Sequence, residues 1–465
     1  MGSEWLERVA GLSGEIEGAD FGDERLRRRA VRLLQALAAE PDKSFPQVFR
    51  DDSQLEAAYR FFNNDAVDPA NLLEPHVAAT ALRMQSREVV LAVHDTTTMS
   101  FRPDGQRQGL GRLRSAGQAF FAHFCLAVAG DGTREPLGVL GLSAHVRDGR
   151  SDKANERDRW CEQVEAVSKR IDPKRVIHVM DREADDYRLL MLLSEGGHRF
   201  VIRLAVDRLL QADEEHQARK LSQALAMVRV QATREVPLSR RTKGLRSPKQ
   251  LHIHPVREGR TASLAFAATA VTLRRPTTQP KELPASLRVH VVRVWEPTPP
   301  AGESPVEWTL VTGEPIDNAD DLLRIVDFYR ARWTIEEYFK ALKTGCSYEK
   351  RQLETLDGLL NVLALYAPIA WQLLRFRSEA RRQPDAPATT VLTTTELDVL
   401  RRFHRKPLAE SPTARDALLA VAALGGHLKR NGEPGWQSLG AGYEKLRTLA
   451  EGWDAALAAA RSDQS

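Results

Sequence analysis

The spacing of apolar and polar positions divides the chain into stretches of different period. Up to about residue 70 it reads as helical, with its clearest start in GDERLRRRAVRLL, opening near Asp23. From Val89 the pattern changes to strands. VVLAVHD is a short apolar run ending on Asp95, and AFFAHFCLAVAG followed by EPLGVLGLSAHVR predicts a hairpin turning at Gly130, Asp131 and Gly132. A polar helix over about 153–170 leads to a second short strand, VIHVMD, ending on Asp181. A helix over about 185–194 and the strand RFVIRL follow. Strands joined by helical crossovers predict an α/β mixed sheet.

Residues 206–312 interrupt that pattern with β-rich, Pro-bearing sequence. They hold a basic segment (Arg240, Arg241, Lys243, Arg246, Lys249) and a loop over Pro297–Pro305. Beyond them the run Leu359–Leu374, containing Asn361, Pro368 and Gln372, predicts a buried, kinked helix. A linker over 378–392 holds Pro384 and Pro387, and helices return to the end of the chain. The expected organisation is three domains: 1–70, 71–377 with its insertion at 206–312, and 378–465.

Between the insertion and the buried run lies YRARWTIEEYFKALK, Tyr329 to Lys343, which predicts one long helix. Arg332, Glu336, Lys340 and Lys343 all fall within about 60° of Tyr329 round an ideal helix, whereas Glu337 points about 80° away. Ile335, Tyr338 and Leu342 take the opposite side and can pack on a core. One carboxylate in a stripe of cations suits a metal ion and a phosphodiester. A solvated face laced with the pairs Arg332–Glu336 and Glu336–Lys340 accounts for the same residues.

Composition narrows the class. Net charge is +4, from 67 Lys+Arg against 63 Asp+Glu, so any nucleic-acid surface must be local. One candidate is the helix opening at Asp23, where Arg25, Arg27, Arg28, Arg29 and Arg32 crowd together. Three widely spaced cysteines, Cys125, Cys161 and Cys346, form no disulfide framework or zinc pattern. The polar start MGSEWLERVA is no signal peptide, and Leu359–Leu374 is too short to span a bilayer, so a cytoplasmic protein without membrane contact is expected.

Asp95 and Asp181 share a feature: each ends a short apolar strand, where open α/β sheets place their sites. With the helix-borne Glu336 they offer three carboxylates, an oxygen donor set that suits Mg²⁺ or Mn²⁺ rather than zinc. Two such ions about 3.5–4 Å apart would serve an in-line displacement at phosphorus. Taken singly, Asp95 could cap a turn before Thr96 and Asp181 could cap the helix that follows it.

The order VHDTT, then MDREAD, then Y-x2-R-x3-E-x6-K resembles the DDE transposases of the IS-four group of bacterial insertion sequences, which includes the transposase of the Tn-five transposon. GDERLRRRAVRL, EAAYRFFNND, WTLVTGEP and LGGHLKRNGEPGWQSL also look like family segments, so the likeness covers roughly residues 15–455. It implies a ribonuclease-H-like catalytic core with Asp95, Asp181 and Glu336 holding two Mg²⁺ ions, Mn²⁺ substituting. A helical N-terminal domain that binds transposon ends, a β-rich insertion and a helical C-terminal dimerisation region are implied with it. The implied chemistry is cut and paste on double-stranded DNA: nicking, hairpin formation, hairpin opening, and transfer of the 3′-hydroxyl into target DNA by a homodimer.

By the same resemblance Trp308 stacks on a flipped base, Arg332, Lys340 and Lys343 hold phosphates, Tyr329 donates to one, and Arg203 contacts the distorted end. Read without it, Trp308 is a packed strand residue and Arg203 a strand terminus. Ala205 stands where the family leads one to expect a basic residue. Glu183 either supports the metal or caps a helix. Two other functions fit the same residues: an inactive DNA-binding regulator, and a nuclease without strand transfer.

Overall fold

A computed structural model describes residues 12–102, 106–112, 117–146, 152–211, 219–241, 256–404, 407–428, 430 and 432–462. Lys243, Arg246 and Lys249 of the basic segment, and Lys429 and Asn431 of the late family-like segment, lie outside the described residues.

Helices come first: α1 (Glu24–Ala39), α2 (Phe45–Val48), α3 (Asp52–Phe62) and α4 (Pro69–Gln85). Asp23, Asp51 and Asp68 cap α1, α3 and α4 by accepting first-turn N–H groups, and Pro69 opens α4 where no N–H is needed. Next are β1 (Val90–Phe101), β2 (Gly111–Arg112), β3 (Gln118–Ala129), β4 (Pro136–His145) and α5 (Asp152–Ser168). Then come β5 (Val176–Met180), α6 (Tyr187–Glu195), β6 (Arg199–Arg203), α7 (Leu221–Met227) and β7 (Ala232–Leu238). The strands end with β8 (Arg260–Arg274), β9 (Ser286–Trp295) and β10 (Glu307–Thr312). The last helices are α8 (Ala319–Ala331), α9 (Trp333–Lys340), α10 (Leu356–Arg382), α11 (Thr394–Phe403), α12 (Ala414–Leu424) and α13 (Trp436–Ser462).

The chain forms two compact units, one from residues 1–153 with 333–465 and the other from 154–332. In the first, β3 is central: β1 pairs with it antiparallel from Val90 opposite Ala129 to Phe101 opposite Gln118, and β4 lies on its other edge. The β3–β4 turn falls at Gly130–Gly132, as the sequence predicts. Helix α4 closes onto β4 because Gly138 has no side chain; a Cβ there would stand 1.9 Å from Thr80 Oγ1. Helix α10 packs behind, its Trp371 indole donating to the Pro136 carbonyl at 2.8 Å.

In the second unit β5 and β6 run parallel, and β10, β9, β8 and β7 extend that sheet antiparallel. Its core joins Trp160 and Val164 of α5, Tyr187 and Leu190 of α6, and Phe200, Ile202, Val291 and Val311 of the sheet. The α/β mixed-sheet expectation is met, and β7 to β10 fall in the stretch expected to be β-rich.

Three local expectations are corrected. Asp95 does not end its strand: β1 continues six residues to Phe101, because the β-branched run Thr96–Thr98 suits a pleated strand and finds partners on β3. Tyr329–Lys343 is not one α-helix. Helix α8 stops at Ala331, the Arg332 N–H turns back to the Tyr329 carbonyl, α9 starts at Trp333, and Ala341–Gly345 is π-helical. The linker starts later, since α10 runs through RSEARR to Arg382 and ends just before Pro384. At 27 residues α10 is long and apolar enough to cross a bilayer, yet 83% of its most apolar window is buried within the protein.

Candidate active site

In the first unit β1 presents Asp95 and α9 packs against that strand, carrying Glu336 in its first turn. Both carboxylates are half-buried. Asp95 Oδ1 accepts the N–H of Thr96 at 2.8 Å. His94, one residue earlier, is buried on the opposite face, as strand alternation requires. Helix α9 is held from behind by Ile335 and Tyr338, and Leu342 follows in the π-helical turn; all three are fully buried.

The cations of the stripe divide. Lys343 lies in the π-helical turn, where the 3.6-residue spacing no longer holds, and its ammonium donates to the Thr98 carbonyl of β1 at 2.5 Å. Burial pulls its pKa below the ordinary lysine range, with Glu349 opposing at 3.7 Å. Glu349 in turn accepts the Ser100 N–H at 2.8 Å. Lys340 is exposed and its ion pair is with Glu337 at 2.5 Å, in place of the expected Glu336; Glu337 also takes Arg377 of α10 at 2.9 Å. Arg25 and Arg28 stand exposed on α1, near Asp23 at 3.0 Å and Glu24 at 3.3 Å respectively.

The second unit gathers most of the remaining residues. Asp181 follows β5 and its carboxylate accepts the Glu183 N–H at 2.8 Å, so it caps a three-residue 3-10 turn, while the helix expected after it, α6, is capped by Asp186; Glu183 itself is exposed. The ring of Trp308 on β10 lies 5.1 Å from that of Tyr329 on α8, tilted by 47°. The Arg332 guanidinium stands 5.9 Å from the Tyr329 ring centre. Arg203, closing β6, brings its positive charge beside the phenol. Burial pushes the Tyr329 pKa up, Arg332 and Arg203 pull it back, and Asp181 adds to the rise. The phenol therefore stays protonated at neutral pH and can donate.

Among the described residues, no group of three or more His, Cys, Asp or Glu side chains is drawn together closely enough to hold a metal ion. The donors are nonetheless of the right kind: Asp95, Asp181 and Glu336 offer oxygens alone, the chemistry of Mg²⁺ and Mn²⁺.

Asp185, in the same MDREADD run, escaped the sequence reading. Its side chain is 1% exposed, pairs with Arg208 and accepts the Ala205 and Val206 N–H groups at 2.7 and 3.0 Å. The available signal was its place four residues after Asp181; its partners lie too far along the chain to be read from spacing.

Known proteins resemble this chain in three respects. The transposase DNA-binding family matches residues 10–67, which include α1 and its arginines. A piggyBac transposase synaptic complex with hairpin DNA is similar over 80% of this chain and 73% of its own, at 11% identity and a TM-score of 0.36. The transposase DDE domain family matches residues 93–370, from just before Asp95 to beyond Glu336 and over more than half of the chain. The chain belongs to the DDE-domain transposases, metal-dependent enzymes that cut DNA and transfer its strands.

Proposed function

We propose that the protein is a cut-and-paste transposase of the IS-four kind, related to that of the Tn-five transposon, working in the cytoplasm as a homodimer on two paired ends. The observation that carries this reading is the grouping of Trp308, Tyr329, Arg332 and Arg203: an aromatic pair flanked by two guanidiniums. Such a group suits a distorted DNA end, because a base displaced from the stack can lie on the indole while the cations take the adjoining phosphates. Stacking of this sort is worth about 1–3 kcal/mol per base. A displaced base is what the sharp bend of a hairpin intermediate needs.

Asp95, Asp181 and Glu336 would hold two divalent ions, Mg²⁺ or Mn²⁺. When bound, the ions activate the attacking oxygen and stabilise the leaving one. Arg332 and Arg203 orient the backbone, Tyr329 donates to a phosphate oxygen, and Lys340 and Lys343 supply positive charge along the helix. Arg25 and Arg28, within the stretch matched by the DNA-binding family, would grip the end in an ionic-strength-dependent way. Each subunit would cut the end held by its partner's N-terminal domain.

The test is cleavage of a plasmid carrying the DNA that flanks the gene, with Mg²⁺, Mn²⁺ or EDTA. Metal-dependent release of the element with hairpin ends, abolished in Glu336→Ala, is the expected result. Binding of the ends with no cleavage in either metal would leave a regulator that occupies ends, and nicking without strand transfer would leave a plain nuclease.

A further inference from the structure

The Asp181 segment and the Arg203 segment leave neighbouring parallel strands side by side, Met180 opposite Ile202. After Asp181 the chain makes a short 3-10 turn over Arg182–Ala184, and Asp185 closes it. Strand pairing beyond Arg203 lasts one residue, the Leu204 N–H donating to Thr309 on β10 at 2.9 Å. The next two N–H groups, of Ala205 and Val206, have left the ladder and both donate to one oxygen of Asp185, at 2.7 and 3.0 Å. The other oxygen takes Arg208 through Nε at 2.9 Å and through a second guanidinium nitrogen. Arg208 returns a bond to the Asp185 carbonyl at 3.1 Å, and its own carbonyl accepts the Leu221 N–H at 2.9 Å.

Both charged side chains are buried, at 6% and 1% exposure. A carboxylate so placed is fully engaged by four donors and faces away from any role as a metal ligand. Its bonds fasten the turn after Asp181 to the segment after Arg203. Burial makes that fastening stiff, since losing the carboxylate would strand two N–H groups and a guanidinium.

Resting on the function proposed above, we infer that Asp185 is a positioning residue: it fixes Arg203, whose charge stands beside the Tyr329 phenol, relative to Asp181, so that the end of the DNA meets Asp181 in register. It touches neither DNA nor metal and acts through Arg203.

The experiment compares Asp185→Ala and Asp185→Asn with wild type and with the same changes in an Arg203→Ala background. Three readouts are taken: affinity for a pre-cleaved end duplex by fluorescence anisotropy, nicking rate on the uncut end, and thermal midpoint. Asp185→Ala should weaken end binding and slow nicking by about tenfold, the scale of coupling between residues in one network. In the Arg203→Ala background it should add less than about twofold. The Mn²⁺ concentration giving half-maximal nicking should stay at the wild-type value, which a metal ligand would not allow.

If Asp185→Ala costs as much with Arg203 removed as with Arg203 present, Asp185 serves the fold alone and the inference is overturned. A lowered thermal midpoint with unchanged binding and nicking overturns it as well. Should Asp185→Ala fail to fold, Asp185→Asn, which keeps an oxygen for the two N–H groups but loses the charge facing Arg208, makes the same comparison. Wild type that binds ends without cutting them sinks the cut-and-paste reading instead, and the binding arm still decides the role of Asp185.

Discussion

Trp308 and Tyr329 hold their rings 5.1 Å apart, one on a strand and the other on a helix of the same unit. The contact leaves Trp308 half-buried, so part of the indole remains open to a ligand. Trp308→Ala should reduce hairpin formation by about tenfold or more, corresponding to the loss of one stacked base. First-strand nicking should fall much less, because it needs no displaced base. Quench-flow separation of nicked and hairpin products on a labelled end would check this; equal losses in both steps would assign Trp308 to packing instead.

Tyr329 differs from Trp308 in offering a hydroxyl, and its raised pKa keeps that hydroxyl a donor. Tyr329→Phe preserves the ring contact and removes the donor. One charge-assisted hydrogen bond is worth about 1.5–3 kcal/mol, so affinity for a pre-cleaved end should fall about ten- to a hundredfold with the thermal midpoint unchanged. Anisotropy titration at fixed salt gives the answer, and an unchanged Kd would remove Tyr329 from the phosphate contacts.

How much of this was legible in the sequence depended on the range of the contacts involved. The β3–β4 hairpin and the opening of α1 next to Asp23 rest on residues within a few positions of one another, and they are found where local rules place them. The seating of Ile335 and Tyr338 in the core followed from helical period alone. The π-helical turn at Ala341–Gly345 could not be read, because it is fitted to a distant partner: Gly345 meets Gly440 of α13, where an added Cβ would stand 2.5 Å from the Gly345 carbonyl oxygen. Asp185 was illegible for a similar reason, since Arg208 is 23 positions away. The same glycine contact gives a prediction. Gly440→Ala should destabilise the protein by about 1–3 kcal/mol, an overpacking cost against a backbone atom that cannot swing aside, measurable by urea titration.

A buried ionic group ties the start of the described chain to α4 and β4. Glu15 accepts from Arg83 at 2.8 Å and lies 2.6 Å from His76 Nδ1, while His76 Nε2 accepts the Val139 N–H at 2.9 Å. Nε2 is thus an acceptor and His76 is neutral, in keeping with burial that holds its pKa below the usual value. Burial alone would raise the Glu15 pKa, but His76 and Arg83 together bring it down to about 2. A depressed carboxylate pKa contributes stability that is complete above about 4.5 and is lost as pH falls toward about 2. Glu15→Gln should cost about 3–5 kcal/mol at pH 7, because the Arg83 charge stays buried without its carboxylate. It should also flatten the acid limb of the stability curve. Chemical denaturation between pH 3 and 7 would show both effects, and parallel acid limbs for the two proteins would sink the assignment.

Glu444 behaves in the opposite sense. It lies on α13 at 7% exposure and faces Asp42, in the turn after α1. Burial raises its pKa first, Asp42 and Glu40 add to the rise, Lys43 opposes it, and the result is about 8. Two carboxyl groups this close are stable when they share a proton and repel when both ionise. For an acid whose pKa is raised in the fold, the stabilisation is complete below the unfolded value of about 4.5 and drains away as pH climbs to about 8. The thermal midpoint should therefore fall steadily from pH 5 to pH 8.5, and the C-terminal helix should loosen from the α1 region at the upper end. Glu444→Gln keeps a hydrogen-bond donor for Asp42 and carries no charge at any pH, so its midpoint should be level over that range and higher than wild type at pH 8.5. Hydrogen exchange over α13 adds a local readout: protection that drops with pH in wild type and holds in Glu444→Gln locates the change at this pair, whereas identical pH profiles in the two proteins would place the ionisation elsewhere.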